Sequence, residues 1–203
     1  MTPPSISECP PVTAARWHGA FPEPPGYASA DDFRALMSDF PSGVAVVTAL
    51  RPDGTPRGTT CSSLSSVTLS PPTLLVCLDG RSDTLAAVRD TGRFAVNLLH
   101  DGGRRAAETF AAKVPDRFER VGWRPAPGSG LPWLAEDALA LAECRVSGLL
   151  ETGDHTVVLG RVAAVVRAPG APLLYGRRQF SRWVPAAATT ATATATATDR
   201  SDR

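Results

Sequence analysis

Gly58-Thr59-Thr60-Cys61-Ser62-Ser63-Leu64-Ser65-Ser66-Val67-Thr68-Leu69-Ser70-Pro71-Pro72 is the stretch on which the fold turns. Eight of its fifteen residues carry a Ser or Thr hydroxyl, and it lies between two apolar runs, 44–50 and 73–78. Each hydroxyl that is buried needs a hydrogen-bond partner. So dense a run is therefore either a Ser/Thr-rich edge strand with its turn, or the wall of a site that hydrogen-bonds a heteroaromatic ring or a phosphate. The stretch alone leaves both open.

Working outward, the apolar runs read as buried strands over 44–50 and 73–78, with a further strand over 59–69. Upstream, Asp31 or Asp32 caps a helix running to about Asp39, with Phe33, Leu36, Met37 and Phe40 on one face. Downstream, Ser82 caps a short helix over 82–91, a strand covers 93–99, and a second short helix covers 103–112. Residues 118–134 are irregular. Two long strands, 138–150 and 155–167, are joined by Glu151-Thr152-Gly153-Asp154, a hairpin signal. Short strands over 173–175 and 179–183 close the domain. Many short strands, few helices and no regular βαβ alternation make this a mainly β chain, a barrel with peripheral helices.

Residues 28–183 are expected to form one domain, flanked by a flexible Pro-rich arm over 1–27 and a disordered Thr/Ala-rich tail over 184–203. The chain has 203 residues, 43% of them hydrophobic and 20% charged, with a net charge of +1. That balance gives no strong attraction to nucleic acid or to an anionic membrane. No apolar run approaches the length of a membrane span, and the first residues lack the pattern of a secretory signal. The four cysteines, Cys9, Cys61, Cys77 and Cys144, form no C-x-x-C pair. A zinc site or disulfide framework is not expected, and a reducing cytoplasm fits. His18, His100 and His155 lack metal-ligand spacing, so no metal is assigned. There is no G-x-G-x-x-G after a strand, no Walker A loop and no G-x-S-x-G elbow. A nucleotide that binds here binds in another way.

Read in order, a series of motifs resembles the flavin reductase family of the FMN-binding split barrel, the reductase components of two-component flavin monooxygenases. The series starts with Phe33-Arg34, Met37 and Phe40-Pro41-Ser42-Gly43-Val44, followed by Gly58 to Val67 and Ser70-Pro71-Pro72. It continues through Arg81-Ser82-Asp83-Thr84, Gly92 to Leu99, Phe110-Ala111-Ala112-Lys113 and Asp116-Arg117-Phe118. It ends with Glu143-Cys144, Gly153-Asp154-His155 and Pro172-Leu173-Leu174-Tyr175. Ser42 stands where the family often has Thr, and Leu64 where it often has Phe.

The resemblance implies a six-stranded, Greek-key-like split β-barrel that forms a homodimer with flavin near the interface. It implies FMN or FAD as acceptor, NADH or NADPH as hydride donor, and a flavin-dependent monooxygenase component as recipient of reduced flavin. Thr59, Thr60, Ser62 and Ser63 then face the flavin ring, with Ser65 and Ser66 extending the lining and Ser42, Cys61 and Tyr175 beside it. Ser82 and Thr84 begin a helix, where hydroxyls and free amides form an anion site for the flavin phosphate, with Arg81 adding charge. Lys113 and Arg117 are placed to reach a phosphate or the reductant, or else end a solvated helix. His155, after Gly153-Asp154, is placed beside the flavin where nicotinamide docks; its plainer reading is a turn histidine bonded to Asp154. Phe94, Phe110 and Phe118 serve as core or as packing for the rings. Gly176-Arg177-Arg178-Gln179-Phe180 is more basic than usual, which leaves the choice of NADH or NADPH open.

Three other readings compete. A split barrel that binds flavin without turnover predicts retained colour and no NAD(P)H oxidation. An oxidase of the pyridoxamine-phosphate type predicts peroxide formation without NAD(P)H. A structural barrel predicts no flavin affinity.

Overall fold

The apolar run after Ser42-Gly43 becomes a strand buried on both faces, and the sheet is built around it. The computed structural model describes residues 14–15 and 26–186. Its first elements are β1 (Ala14–Ala15), α1 (Ala30–Ser38), β2 (Ser42–Gly43), β3 (Ala45–Leu50), β4 (Pro56–Cys61), β5 (Ser65–Leu69) and β6 (Pro72–Asp79). Next come α2 (Asp83–Thr91), β7 (Arg93–Leu99), α3 (Arg104–Ala111), α4 (Arg117–Arg120), β8 (Arg124–Pro125) and β9 (Pro132–Trp133). The last are β10 (Ala138–Thr152), β11 (His155–Arg167), β12 (Leu173–Gly176) and β13 (Gln179–Arg182). Most of the expected arm and tail lies outside the described residues; within the arm, Ala14 and Ala15 pair in parallel with Leu149 and Leu150.

The main sheet runs β4-β3-β7-β10-β11-β6-β5. Six of these strands, β3, β4, β6, β7, β10 and β11, send side chains into one interior cluster that includes Val47, Cys61, Val76, Phe94, Cys144 and Val158. That is the six-stranded barrel. Leu85, Ala87 and Val88 of α2 pack into the same cluster. The opposite parity of β3 and β7 (Val44, Val46, Leu99) is covered by α3 and by Val121 and Leu134 of the irregular segment. Both faces of β3 are therefore dry, which is why its sequence is continuously apolar rather than alternating.

The single strand expected over 59–69 is two strands. β4 ends at Cys61 and β5 begins at Ser65, and they sit at opposite ends of the sheet path. Residues 62–64 cross the gap where the barrel is split. Ser63 bridges it: Cys77 N–H donates to its Oγ at 3.0 Å, and the hydroxyl donates to Cys77 O at 3.2 Å. β5 is thus a seventh strand, paired only with β6.

The helix expected to start at Asp31 or Asp32 is capped instead by Ser29, whose Oγ accepts the Asp32 N–H at 3.0 Å. The two aspartates occupy the first turn, where negative charge suits the helix dipole. The cap at Ser82 is as expected, with its Oγ accepting the Thr84 N–H at 3.1 Å. The long hairpin also forms, with Thr152 opposite His155 and Gly153-Asp154 as the loop. Gly153 takes φ +57°, a conformation that costs glycine little.

One buried polar knot ties the irregular segment to the barrel. Asn97, fully buried, donates to Val46 O at 3.2 Å, Thr48 Oγ1 at 3.2 Å and Pro132 O at 3.4 Å. Its Oδ1 accepts the Leu134 N–H at 2.9 Å. Thr48 also donates to Pro132 O at 2.7 Å. Cys61, Cys77 and Cys144 are unpaired. Burial pushes the Cys144 thiol up to about 12, so it stays protonated and acts as a small apolar residue.

Candidate functional site

The hydroxyl-rich run is divided by the two-residue period of β4. Going back from buried Cys61, the inward parity meets Thr59 and then Arg57, which emerge at the barrel mouth. The outward parity places Thr60 against α3, where its Oγ1 donates to Ala107 O at 2.6 Å. The structure therefore assigns Thr60's hydroxyl to holding a helix, and Cys61 to the core.

The mouth opens into a cleft of about 880 Å³ between β4, the start of α2 and the segment after α3. It is lined by Thr59, Ser82, Thr84, Lys113 and Arg117 from the expected set, and by Arg57, Arg81 and Phe118, among others. Asp79, Asp83, Asp116 and Glu119 line it as well, and two features suit one part of it to an anion. α2 is nine residues long and presents its N-terminus here, capped by Ser82. Lys113 carries no ion pair or hydrogen bond to another described residue. Arg57 Nε is buried without a hydrogen-bond partner, its nearest acidic atom being Asp83 Oδ2 at 3.9 Å. Arg57 thus sits in the cleft wall with its Nε turned away from solvent and drawn to the Asp83 carboxylate.

Arg117 has a different task. Its Nη1 donates to Gly58 O at 2.9 Å and its Nε to Val114 O at 3.1 Å, fixing the cleft wall to β4. Gly58 is required at this wall, because a Cβ there would lie 2.9 Å from Phe110 Cε1 and 3.1 Å from Phe118 Cζ. Phe110 is core, and Phe118 stacks edge-on against it at 4.9 Å between ring centres. Phe94 is wholly core. On the rim, Arg81 holds Asp79 through its backbone N–H at 2.8 Å and its guanidinium at 3.4 Å, which keeps the Asp79 carboxyl below the usual carboxylate range.

A second cleft, of about 590 Å³, lies where residues 62–65 pass between α1 and the β12–β13 hairpin. Ser42, Ser62, Ser63, Ser65 and Tyr175 of the expected set line it, with Arg34, Phe40 and Arg178. The two clefts share no lining residue.

His155 and Ser66 line neither cleft. Ser66 is exposed on β5. His155 Nδ1 lies 2.7 Å from Asp154 Oδ1, and that contact keeps the Asp154 carboxyl below its usual range. The turn is docked on the first cleft's edge: Gly80 N–H donates to Asp154 O at 2.8 Å, and His155 pairs with Asp79 across the strands. His155 thus stands on the rim beside two lining residues, Asp79 and Arg81. His100, away from both clefts, is structural: its Nδ1 accepts the Gly102 N–H at 3.0 Å, which leaves Nε2 to donate to Glu136 O at 2.8 Å. Arg57 was the residue sequence reasoning missed. Its signal was its spacing, two positions before Thr59 on one strand.

Residues 37–184 match the family described as flavin reductase like domain. The chain is 58% identical over 165 residues to the flavin reductase (NADPH) of Lentzea aerocolonigenes, covering 81% of this chain and 96% of that protein. It is 33% identical over 162 residues to the flavin-dependent monooxygenase reductase subunit HsaB of Mycobacterium tuberculosis, covering 78% of this chain and 85% of that protein. Among solved structures it resembles the NADH:FAD oxidoreductase of Streptomyces globisporus in complex with NAD and FAD fragments. The TM-score is 0.71 at 37% identity, over 76% of this chain and 93% of that one.

Proposed function

The chain belongs to the flavin reductase family, and on that premise we propose how its two clefts share the binding of the reactants. It is an NAD(P)H-dependent flavin reductase of the kind that supplies reduced flavin to a monooxygenase component. The flavin is FMN or FAD and the donor NADH or NADPH. Bound together, these ligands supply the redox chemistry, hydride passing from nicotinamide C4 to flavin N5.

The chain contributes binding, orientation and exclusion of water. The observation that carries the assignment is the donor set of the first cleft. The α2 N-terminus with Ser82 and Thr84 and the Lys113 ammonium together suit a phosphate. We assign the flavin phosphate to it. Thr59 and the serines at 62 and 65 then offer uncharged hydrogen bonds, which suits the oxygens and nitrogens of a flavin ring edge, and Ser63, its hydroxyl engaged by Cys77, shapes the wall beside them. His155, on the rim, is assigned to the nicotinamide side.

The test is NADH and NADPH oxidation with FAD, FMN or no flavin added. Saturable oxidation that depends on added flavin is expected. Flavin binding with no oxidation of either donor would point to the non-turnover barrel. His155→Ala is expected to slow reduction of bound flavin by about tenfold while changing flavin affinity by less than about twofold; unchanged turnover removes His155 from the site.

We also infer a homodimer. α1 buries none of its residues in this chain, and Phe33, Leu36, Met37 and Phe40 are 57%, 66%, 45% and 66% exposed. The patch continues through Tyr175 in the second cleft. A nine-residue helix has little stability of its own, so an apolar face this bare needs a cover. Sedimentation equilibrium is expected to give twice the chain mass of 21.3 kDa, and Leu36→Asp to shift it toward one. A wild-type monomer at micromolar concentration would overturn this. Among the described residues no helix is long and apolar enough to cross a membrane, and the described cysteines are unpaired. We place the protein in the cytoplasm.

A further inference from the structure

Three aromatic rings run from the core into the first cleft. Phe110 is buried, and Phe118 meets it edge-on at 4.9 Å between ring centres. Trp123 in turn meets Phe118 edge-on at 5.8 Å, with the ring planes at 77°. All three line the cleft, and Trp123 ends the series. Its ring is half-buried: part of it packs on the apolar cluster of β3 and α3, and part is turned to the cleft. The middle ring is held from behind, since a Cβ at Gly58 would lie 3.1 Å from Phe118 Cζ. A ring fixed in this way loses little freedom when a flat ligand stacks on it.

The charges beside these rings differ from those at α2. Asp116 and Glu119 flank Phe118 in the chain, and both line the cleft. Asp116 is paired with Arg120 at 3.1 Å, whereas Glu119 forms no ion pair with a described residue. Ionised carboxylates accept hydrogen bonds and do not donate them, so this wall disfavours a phosphate and suits a group with N–H donors on its edge. Adenine is such a group. Its faces stack on aromatic rings and its exocyclic amine donates.

The cleft also has room for one. Its volume of about 880 Å³ is near the top of the range for small-molecule sites, and a phosphate fills little of it. Ser62 and Ser65, assigned to the flavin ring, line the other cleft, so the ring does not account for the space. FMN ends at its phosphate, whereas FAD continues through a second phosphate and a ribose to adenine. We propose that Trp123 is a specificity residue that stacks the adenine of FAD, so that the protein prefers FAD to FMN. This rests on the reading of the chain as an NAD(P)H-dependent flavin reductase with the flavin phosphate in the first cleft.

Flavin titrations of the full chain, with no hydride donor present, test it. The wild type is expected to bind FAD about tenfold more tightly than FMN. Trp123→Leu keeps an apolar group against the cluster but offers no ring, and is expected to bind the two flavins within about twofold of each other. Trp123→Phe restores a ring and is expected to keep FAD ahead, which a role in packing alone would not require. Equal affinity of the wild type for both flavins would overturn the proposal, as would an equal loss of both in Trp123→Leu. NADH and reduced nicotinamide mononucleotide, compared as donors to FMN, separate the other source of adenine. A Trp123→Leu variant that loses its preference for NADH over the mononucleotide, while FAD affinity holds, would put the donor's adenine on the ring and overturn the proposal. Wild-type protein that binds neither flavin fails the underlying reading; binding of both without a preference fails this proposal alone.

Discussion

Gly160→Ala is expected to lower the unfolding midpoint by roughly 6–12 °C, corresponding to about 3 kcal/mol of overpacking. A Cβ at Gly160 would lie 2.4 Å from Phe94 Cζ, 2.7 Å from Cε1 and 3.1 Å from Cys144 Cβ. None of these atoms has room to retreat. The Phe94 ring is fully buried at the centre of the barrel, and Cys144 is held in register with it on β10. The ring lies across β10 onto β11 because position 160 has no side chain. A smaller residue at 94 removes the obstacle, so Phe94→Leu combined with Gly160→Ala is expected to lose less than the sum of the two single variants. Thermal unfolding of all three decides it; a midpoint for Gly160→Ala within about 2 °C of wild type would mean that the barrel wall gives way.

Asn97→Ala comes second, also at about 3 kcal/mol. Truncation strips the Leu134 N–H of its acceptor and Val46 O and Pro132 O of a donor, all in a site without solvent. The loss reaches further than the knot. Leu134 packs in the same cluster as Phe110, Phe118 and Trp123, three residues that line the first cleft. Weakened flavin affinity is therefore expected together with the loss of stability.

Asn97→Asp separates the two halves of the amide. It keeps the acceptor for Leu134 but turns a carboxylate toward carbonyl oxygens. Burial and those carbonyls raise its folded-state pKa above the ordinary value of about 3.9. The stability of this variant is thus highest below that value and falls as pH rises toward the folded-state pKa. Denaturant midpoints at about pH 4 and about pH 7, compared with wild type, should show the gap widening at the higher pH. A gap independent of pH would show that residue 97 is hydrated.

The sequence made much of this visible, because strands and caps are local. The buried run of β3, the cap at Ser82 and the Gly153-Asp154 hairpin follow from neighbours in the chain. The split after Cys61 does not. Hydroxyls on both sides of it have similar strand propensity, and only the partners, β3 for one half and β6 for the other, tell them apart. The candidate site divided for the same reason. Thr59 and Thr60 look alike in sequence, but one faces the mouth and the other a helix. Asn97 and Gly160 gave no local sign of their burden, since each is defined by atoms on strands far away in the chain. The apolar face of α1 was legible as a stripe, but not as one this chain leaves bare.

The path of the sheet starts on β4 and ends on β5, two strands that are consecutive in the chain. The ring is therefore joined covalently at its seam, yet across that seam the described hydrogen bonds come from one serine side chain rather than a backbone ladder. Local opening costs least where the fewest backbone hydrogen bonds must break. Ser62, Ser63 and Ser65 stand on that segment and line the second cleft. A molecule gripping them also sews the barrel shut, so its affinity and the barrel's resistance to breathing draw on one free energy. The seam is therefore the segment where a bound reactant is expected to add the most protection against hydrogen exchange.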